Sequence, residues 1–233
     1  MEKINWIFGR GASIACGLDW QVPEGWKSLP RESQIEKIKK ALRHEMENPN
    51  LDTSLYSDLL TILSSKTNNG CNHRFITTNW DYLLQREILR LNLRVLPCWL
   101  DTSHVYHLNG TVEEPESEDR SPFLLETDPP QQRKPTFEAN MAYNKLIWDS
   151  LVIVVGMSFK CKMDQYLLQA IGEANLSKSL WIIVDQNKEV IKNTSNLIRK
   201  TIPYTQIQPV YKEFKEWVTL GFPELIEKKI LSN

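Results

Sequence analysis

Residues 151–156 read LVIVVG and residues 180–185 read LWIIVD. Both are unbroken apolar runs rich in β-branched residues. A strand with one wet face alternates apolar and polar side chains. A continuous run fits a strand covered on both faces, as in a parallel sheet. The stretch between them has room for one crossover helix, which parallel neighbours require.

Working outward, the same succession recurs. Residues 4–8 (INWIF) lead into a glycine turn, and Phe75-Ile76-Thr77 lead into a helix. Residues 34–47 predict a charged helix with Ile35, Ile38, Leu42 and Met46 on one face, and Leu55, Leu59, Ile62 and Leu63 mark a second. Further strands are expected at 95–99 and 105–108, a helix around Phe137, Met141 and Leu146, and one or two closing helices over 211–233. This order predicts an α/β fold, a doubly wound, mostly parallel, Rossmann-like sheet with helices on both faces. Residues 1–233 read as a single domain, with the proline- and acid-rich stretch 113–135 as a surface insertion.

Composition narrows the function. Lys and Arg number 28 against 29 Asp and Glu, a net charge of −1, so bulk charge suggests neither a nucleic-acid nor a membrane surface. No run approaches the ~18–20 apolar residues of a membrane span, and MEKINWIFGRG lacks an apolar signal region, so a cytoplasmic location is expected. The four cysteines, Cys16, Cys71, Cys98 and Cys161, include no C-x-x-C pair. They are expected to be small buried thiols, with no metal bound.

Open α/β sheets bind ligands at the carboxyl ends of their strands, and four such points stand out. Gly9-Arg10-Gly11-Ala12-Ser13 follows the first strand, where glycines let backbone approach a diphosphate. A tight strand-to-helix turn is the plainer reading. Thr77-Thr78-Asn79-Trp80-Asp81 follows the second strand, with more polar residues than one helix cap needs. In VYHLNGT, strand alternation would put His107 and Asn109 on one face. Gly156 and Ser158 end LVIVVGMS, and Asp185 ends LWIIVD, placed to accept from a ribose hydroxyl.

Together these motifs resemble the sirtuin superfamily, more closely its bacterial NAD-consuming branch in antiphage defence than the protein deacylases. GRGAS is similar to the family's G-A-G-x-S, TTNWD to T-x-N-x-D, HLNG to H-L-H-G, and VGMSF to G-T-S-L. The resemblance runs from about residue 4 to 185. It implies that Gly9, Gly11, Ala12 and Ser13 hold the NAD diphosphate. Asn79 would bond the nicotinamide ribose or position water, Asp81 would order its loop or contact the nicotinamide amide, and Thr78 would belong to the same pocket floor. Gly156 and Ser158 would contact phosphate or ribose, and Asp185 the adenosine ribose.

Three departures qualify it. Arg10 stands where the family has alanine, either adding a phosphate contact or pointing to solvent. The paired zinc cysteines are absent. Asn109 occupies the position of the catalytic histidine, so His107 takes over, or the site works without that base, or it binds without turnover. The activity implied is NAD glycohydrolysis, giving nicotinamide and ADP-ribose. The partner implied is a separate sensor or activator protein (Argonaute-like, ATPase or nucleotide-recognising) in an oligomeric assembly, docking on 113–135 or 34–47. The alternatives are a non-catalytic NAD-sensing subunit, a deacylase, and a structural scaffold.

Overall fold

The computed structural model describes residues 2–67, 71–91, 105–113, 123–128, 151–174 and 179–232. In chain order these form β1 (Glu2–Phe8), α1 (Arg10–Ala15), α2 (Arg31–Met46), α3 (Ser54–Lys66), β2 (Cys71–Thr77), α4 (Leu83–Arg90) and β3 (Val105–His107). There follow β4 (Leu151–Val155), α5 (Lys162–Ala174), β5 (Leu180–Val184), α6 (Lys188–Thr201), β6 (Gln206–Val210), α7 (Phe214–Thr219) and α8 (Pro223–Glu227). The strands form one six-stranded sheet in the order β3-β2-β1-β4-β5-β6, every pair parallel. That is the doubly wound order, with its reversal between β1 and β4.

The continuous apolar runs have the expected cause. In β4, Leu151, Ile153 and Val155 face one core and Val152 and Val154 face another. β1 divides likewise, Ile4, Trp6 and Phe8 against Ile7. The first core is covered by α2, α3, α4, α7 and α8, the second by α5 and α6. The closing helices pack on Trp6, whose ring centroid lies 6.0 Å from Trp217 and 5.8 Å from Phe222. Among the described residues no helix is long and apolar enough to cross a membrane.

One expectation needs correction. The stretch 113–135 is not all surface: Phe123, Leu125 and Asp128 are buried. Its apolar Phe123-Leu124-Leu125 pulls the chain inward, and Arg31 of α2 clamps it, Nε to Asp128 Oδ1 at 2.7 Å and Nη2 to Oδ2 at 3.1 Å. Two elements escaped the sequence pattern, α6 and β6. Strand β6 (QIQPV) lies at the sheet edge, half-exposed and carrying Pro209, so it lacks a buried strand's signature. The strand expected at 95–99 and the helix around 137–147 lie outside the described residues.

Candidate functional site

At the end of β2 the chain turns through a short set of hydrogen bonds. The Thr77 hydroxyl donates to the Phe8 carbonyl at 3.1 Å and accepts from Asn79 N at 3.0 Å. Asp81 takes the Leu83 N–H on Oδ1 at 3.2 Å, partly capping α4, and the Ser13 hydroxyl on Oδ2 at 2.7 Å. Ser13 in turn accepts from Asn79 Nδ2 at 3.0 Å. Asp81, one residue before the N-cap Tyr82, therefore takes the first N–H of α4, while the others hold neighbouring segments. Burial pushes the Asp81 carboxyl up from its ordinary range, against the Ser13 and Leu83 bonds that pull it down.

The β3 exit joins the same hub. Gly110 takes φ +76, a conformation that glycine adopts without strain, and the chain swings Asn109 back towards β2. Asn109 Nδ2 donates to the Thr78 carbonyl at 2.8 Å. From the other side the Thr78 hydroxyl bonds Asp164 in the first turn of α5. Burial pushes Asp164 up to about 6, with the Thr78 bond opposing.

These groups wall a cavity of about 320 Å³ at the carboxyl ends of the central strands, within the range of small-molecule sites. Arg10, Ser13, Thr78, Asn79, Asp81, Asn109 and Asp164 supply its polar wall; Trp20, Trp26, Trp80 and Met163 supply apolar surface. Trp80 is itself fixed, stacked 4.9 Å from Phe123 and donating to the Leu124 carbonyl at 3.1 Å. The buried 123–128 segment thus props the cavity wall.

Three solved structures share this architecture. One, from work on the structural basis of sirtuin substrate affinity, matches with TM-score 0.54 and 16% identity over 96% of this chain and 93% of its own. Another, from work on the mechanism and regulation of Sir2 enzymes, matches with TM-score 0.51 and 14% identity over 97% and 94%. The third, a Sir2 point mutant with a p53 peptide and NAD, matches with TM-score 0.53 and 14% identity over 98% and 94%. The chain has a sirtuin-like fold. No family model and no curated protein matches its sequence.

Within this sirtuin-like frame the expected residues separate into groups. Arg10, Ser13, Thr78, Asn79, Asp81 and Asn109 meet at the cavity. Gly9, Gly11 and Gly156 do their work in backbone packing. A methyl group on Gly9 would stand 2.6 Å from Met157 Cβ, and one on Gly11 2.8 Å from Gly156 Cα. The two loops are stitched by Gly9 N to the Val155 carbonyl and Gly11 N to the Gly156 carbonyl, each 2.9 Å. Ala12 is buried beside them. Arg10 is half-exposed, donating to Asp19 at 3.1 Å and to the Trp20 carbonyl at 2.9 Å, so it tethers the loop that carries Trp20.

His107 departs from the alternation expected of it. Strand β3 ends at His107, so the period of two does not reach Asn109, and the two side chains part. The imidazole is 5% exposed, stacked 5.5 Å from Tyr82, and does not line the cavity. Neither ring nitrogen makes a well-aligned hydrogen bond among the described residues, the Asn79 backbone being a polar group beside the ring. Burial pulls its pKa down to about 4, the Asn79 backbone acting the other way, and holds the ring neutral. Ser158 and Asp185 lie outside the cavity wall; Asp185 Oδ1 instead accepts from Asn187 N at 2.7 Å, closing its own turn before α6.

Sequence reading passed over Asp164 and the tryptophans. Asp164 lies beyond the strand end that drew attention, on a helix whose facing could not be judged alone. Trp20 and Trp26 sit in a loop without periodicity. Of the cysteines, Cys16 is buried as expected, but Cys161 is exposed and lines the cavity.

Proposed function

We propose that the chain is an NAD glycohydrolase, releasing nicotinamide and ADP-ribose. The observation that carries this reading is the convergence of Asn79, Asn109 and Asp164 on one partly aromatic cavity beside the topological switch point. Cleavage of the nicotinamide–ribose bond passes through an oxocarbenium-like state and expels a neutral leaving group. The site therefore needs orientation, exclusion of bulk water and negative or dipolar groups around C1′. Two carboxamides held by Ser13 and the Thr78 carbonyl keep their own carbonyl oxygens for ribose hydroxyls or water. The tryptophans offer flat surface for a pyridine or purine ring.

NAD hydrolysis left on would drain a cell, so the enzyme would act as an effector subunit, switched on by a separate sensor protein in a larger assembly. One observation favours a second reading, a non-catalytic NAD-binding subunit: the imidazole nearest the site is buried and neutral. The deciding experiment is nicotinamide release from NAD by the purified chain and by Asn79→Ala, alone and with products of adjacent genes. The hydrolase reading predicts release by the parent and a loss of about 10²-fold or more in Asn79→Ala. NAD bound without release under every condition selects the sensor. Consumption of NAD only with an acyl-lysine peptide selects a deacylase.

A further inference from the structure

Among the described residues three carboxylates line the cavity, Asp81, Glu126 and Asp164, and two are committed. Asp81 is buried with each oxygen engaged, by the Ser13 hydroxyl and by the Leu83 N–H. Glu126 Oε2 pairs with Lys27 Nζ at 3.2 Å, both largely exposed. Asp164 is half-buried and bonded by one neutral donor, Thr78, which leaves acceptor capacity on the cavity wall. The other side chains that could take a proton are poorly placed. His107 does not reach the wall, and partial burial of the otherwise exposed Cys161 raises its thiol, with the charges of Asp164 and Glu126 adding to it, so it stays protonated.

We infer that Asp164 is the general base of this cavity, accepting the proton of the water that attacks the nicotinamide ribose. The inference rests on the reading of NAD as substrate. In the step, the water oxygen bonds to C1′. The C1′–N bond breaks, and its electron pair returns to the pyridine nitrogen, so nicotinamide leaves neutral. The water proton passes to the Asp164 carboxylate and then to solvent. The position in the fold fits: Asp164 lies in the first turn of α5, the helix that follows β4, and one hydrogen bond from the loop that carries Asn79.

The burial of Asp164 bears on the pH dependence of this step. A base must be ionised, so release should rise as pH climbs through about 6, where Asp164 loses its proton. Among the described residues the other charged and titratable groups on these walls are Arg10, Asp81, Glu126 and Cys161. Arg10 is tethered to Asp19 and Glu126 paired with Lys27, while Asp81 is buried behind Ser13.

The test uses the full chain with enzyme in excess over NAD, so that slow turnover is still read, from about pH 4.5 to about 8. NAD binding is followed separately by the fluorescence of the cavity tryptophans. The expected result is binding in parent and Asp164→Asn alike, with release at least about 10²-fold lower and no longer rising with pH in the variant. Asp164→Glu should restore part of the rate. Thr78→Val, which removes a bond that favours the ionised form, should move the rising limb to higher pH. Binding with release unchanged in Asp164→Asn overturns the assignment while leaving the hydrolase intact. Binding without release in the parent, both alone and with the products of adjacent genes, overturns it together with the hydrolase reading. No binding in the parent overturns NAD as the substrate, and the base with it.

Discussion

Gly156 shows how little freedom single residues have at the switch point. It combines φ +60 with an approach so close that a Cβ would lie 2.4 Å from Ala12 N. Gly156→Ala would suffer both strain and a clash against backbone that cannot swing away. A loss of roughly 3 kcal/mol is expected, a fall in Tm of about 10 °C for a domain this size, read by thermal unfolding. The buried imidazoles make a second case. Burial lowers His73 and His107 to about 4 in the folded chain, against an ordinary value of 6.5. As pH falls below about 6.5 the unfolded state takes up these protons first. Each histidine therefore contributes stability that is present above about 6.5 and lost towards 4, on the order of 3 kcal/mol at most. Asp164, raised to about 6, acts with opposite sign, so the effect is best read as a difference. His107→Phe, which keeps a ring against Tyr82, should lose less stability than the parent between neutral pH and pH ~4 in urea titrations.

At the scale of elements, the site is held from behind. Helix α2 acts from behind the wall: its Arg31 grips buried Asp128 and donates to the Phe123 carbonyl at 2.9 Å. Asp128 also accepts from Leu125 N at 2.9 Å, and Phe123 and Leu124 fix Trp80. Arg31→Leu would strand a buried carboxylate and loosen the 123–128 segment. A cost of about 2–3 kcal/mol is expected in denaturant unfolding, together with altered tryptophan fluorescence as Trp80 loses its support. A buried relay does similar work elsewhere. Trp6 Nε1 donates to His73 Nδ1 at 2.9 Å, and His73 Nε2 meets the Thr67 hydroxyl at 2.9 Å, which fixes the tautomer and ties β1 and β2 to the end of α3.

Across the whole molecule, the fold was legible because buried parallel strands leave a local mark, the unbroken runs at 151–155 and 180–184 and the run at 4–8, broken only by Asn5. Strand β6 left none, since an edge strand need not be apolar. The wall of the candidate cavity was legible where it coincides with a strand end, as at Asn79, Asp81 and Asn109. It was hidden where position depends on tertiary packing: β3 stops at His107, two residues short of Asn109, and Asp164 faces the cavity only because α5 docks as it does. The strand order carries one more consequence, for biosynthesis. Strand β1 lies between β2 and β4, so one side of its INWIF edge has no partner until residue 151 is made. At about 5–20 residues per second that wait lasts several seconds. During it the nascent chain presents an apolar, hydrogen-bond-hungry edge to its neighbours on the polysome. Yield would thus be decided on the ribosome, by translation speed and chaperone supply, before the stability of the finished sheet comes into play.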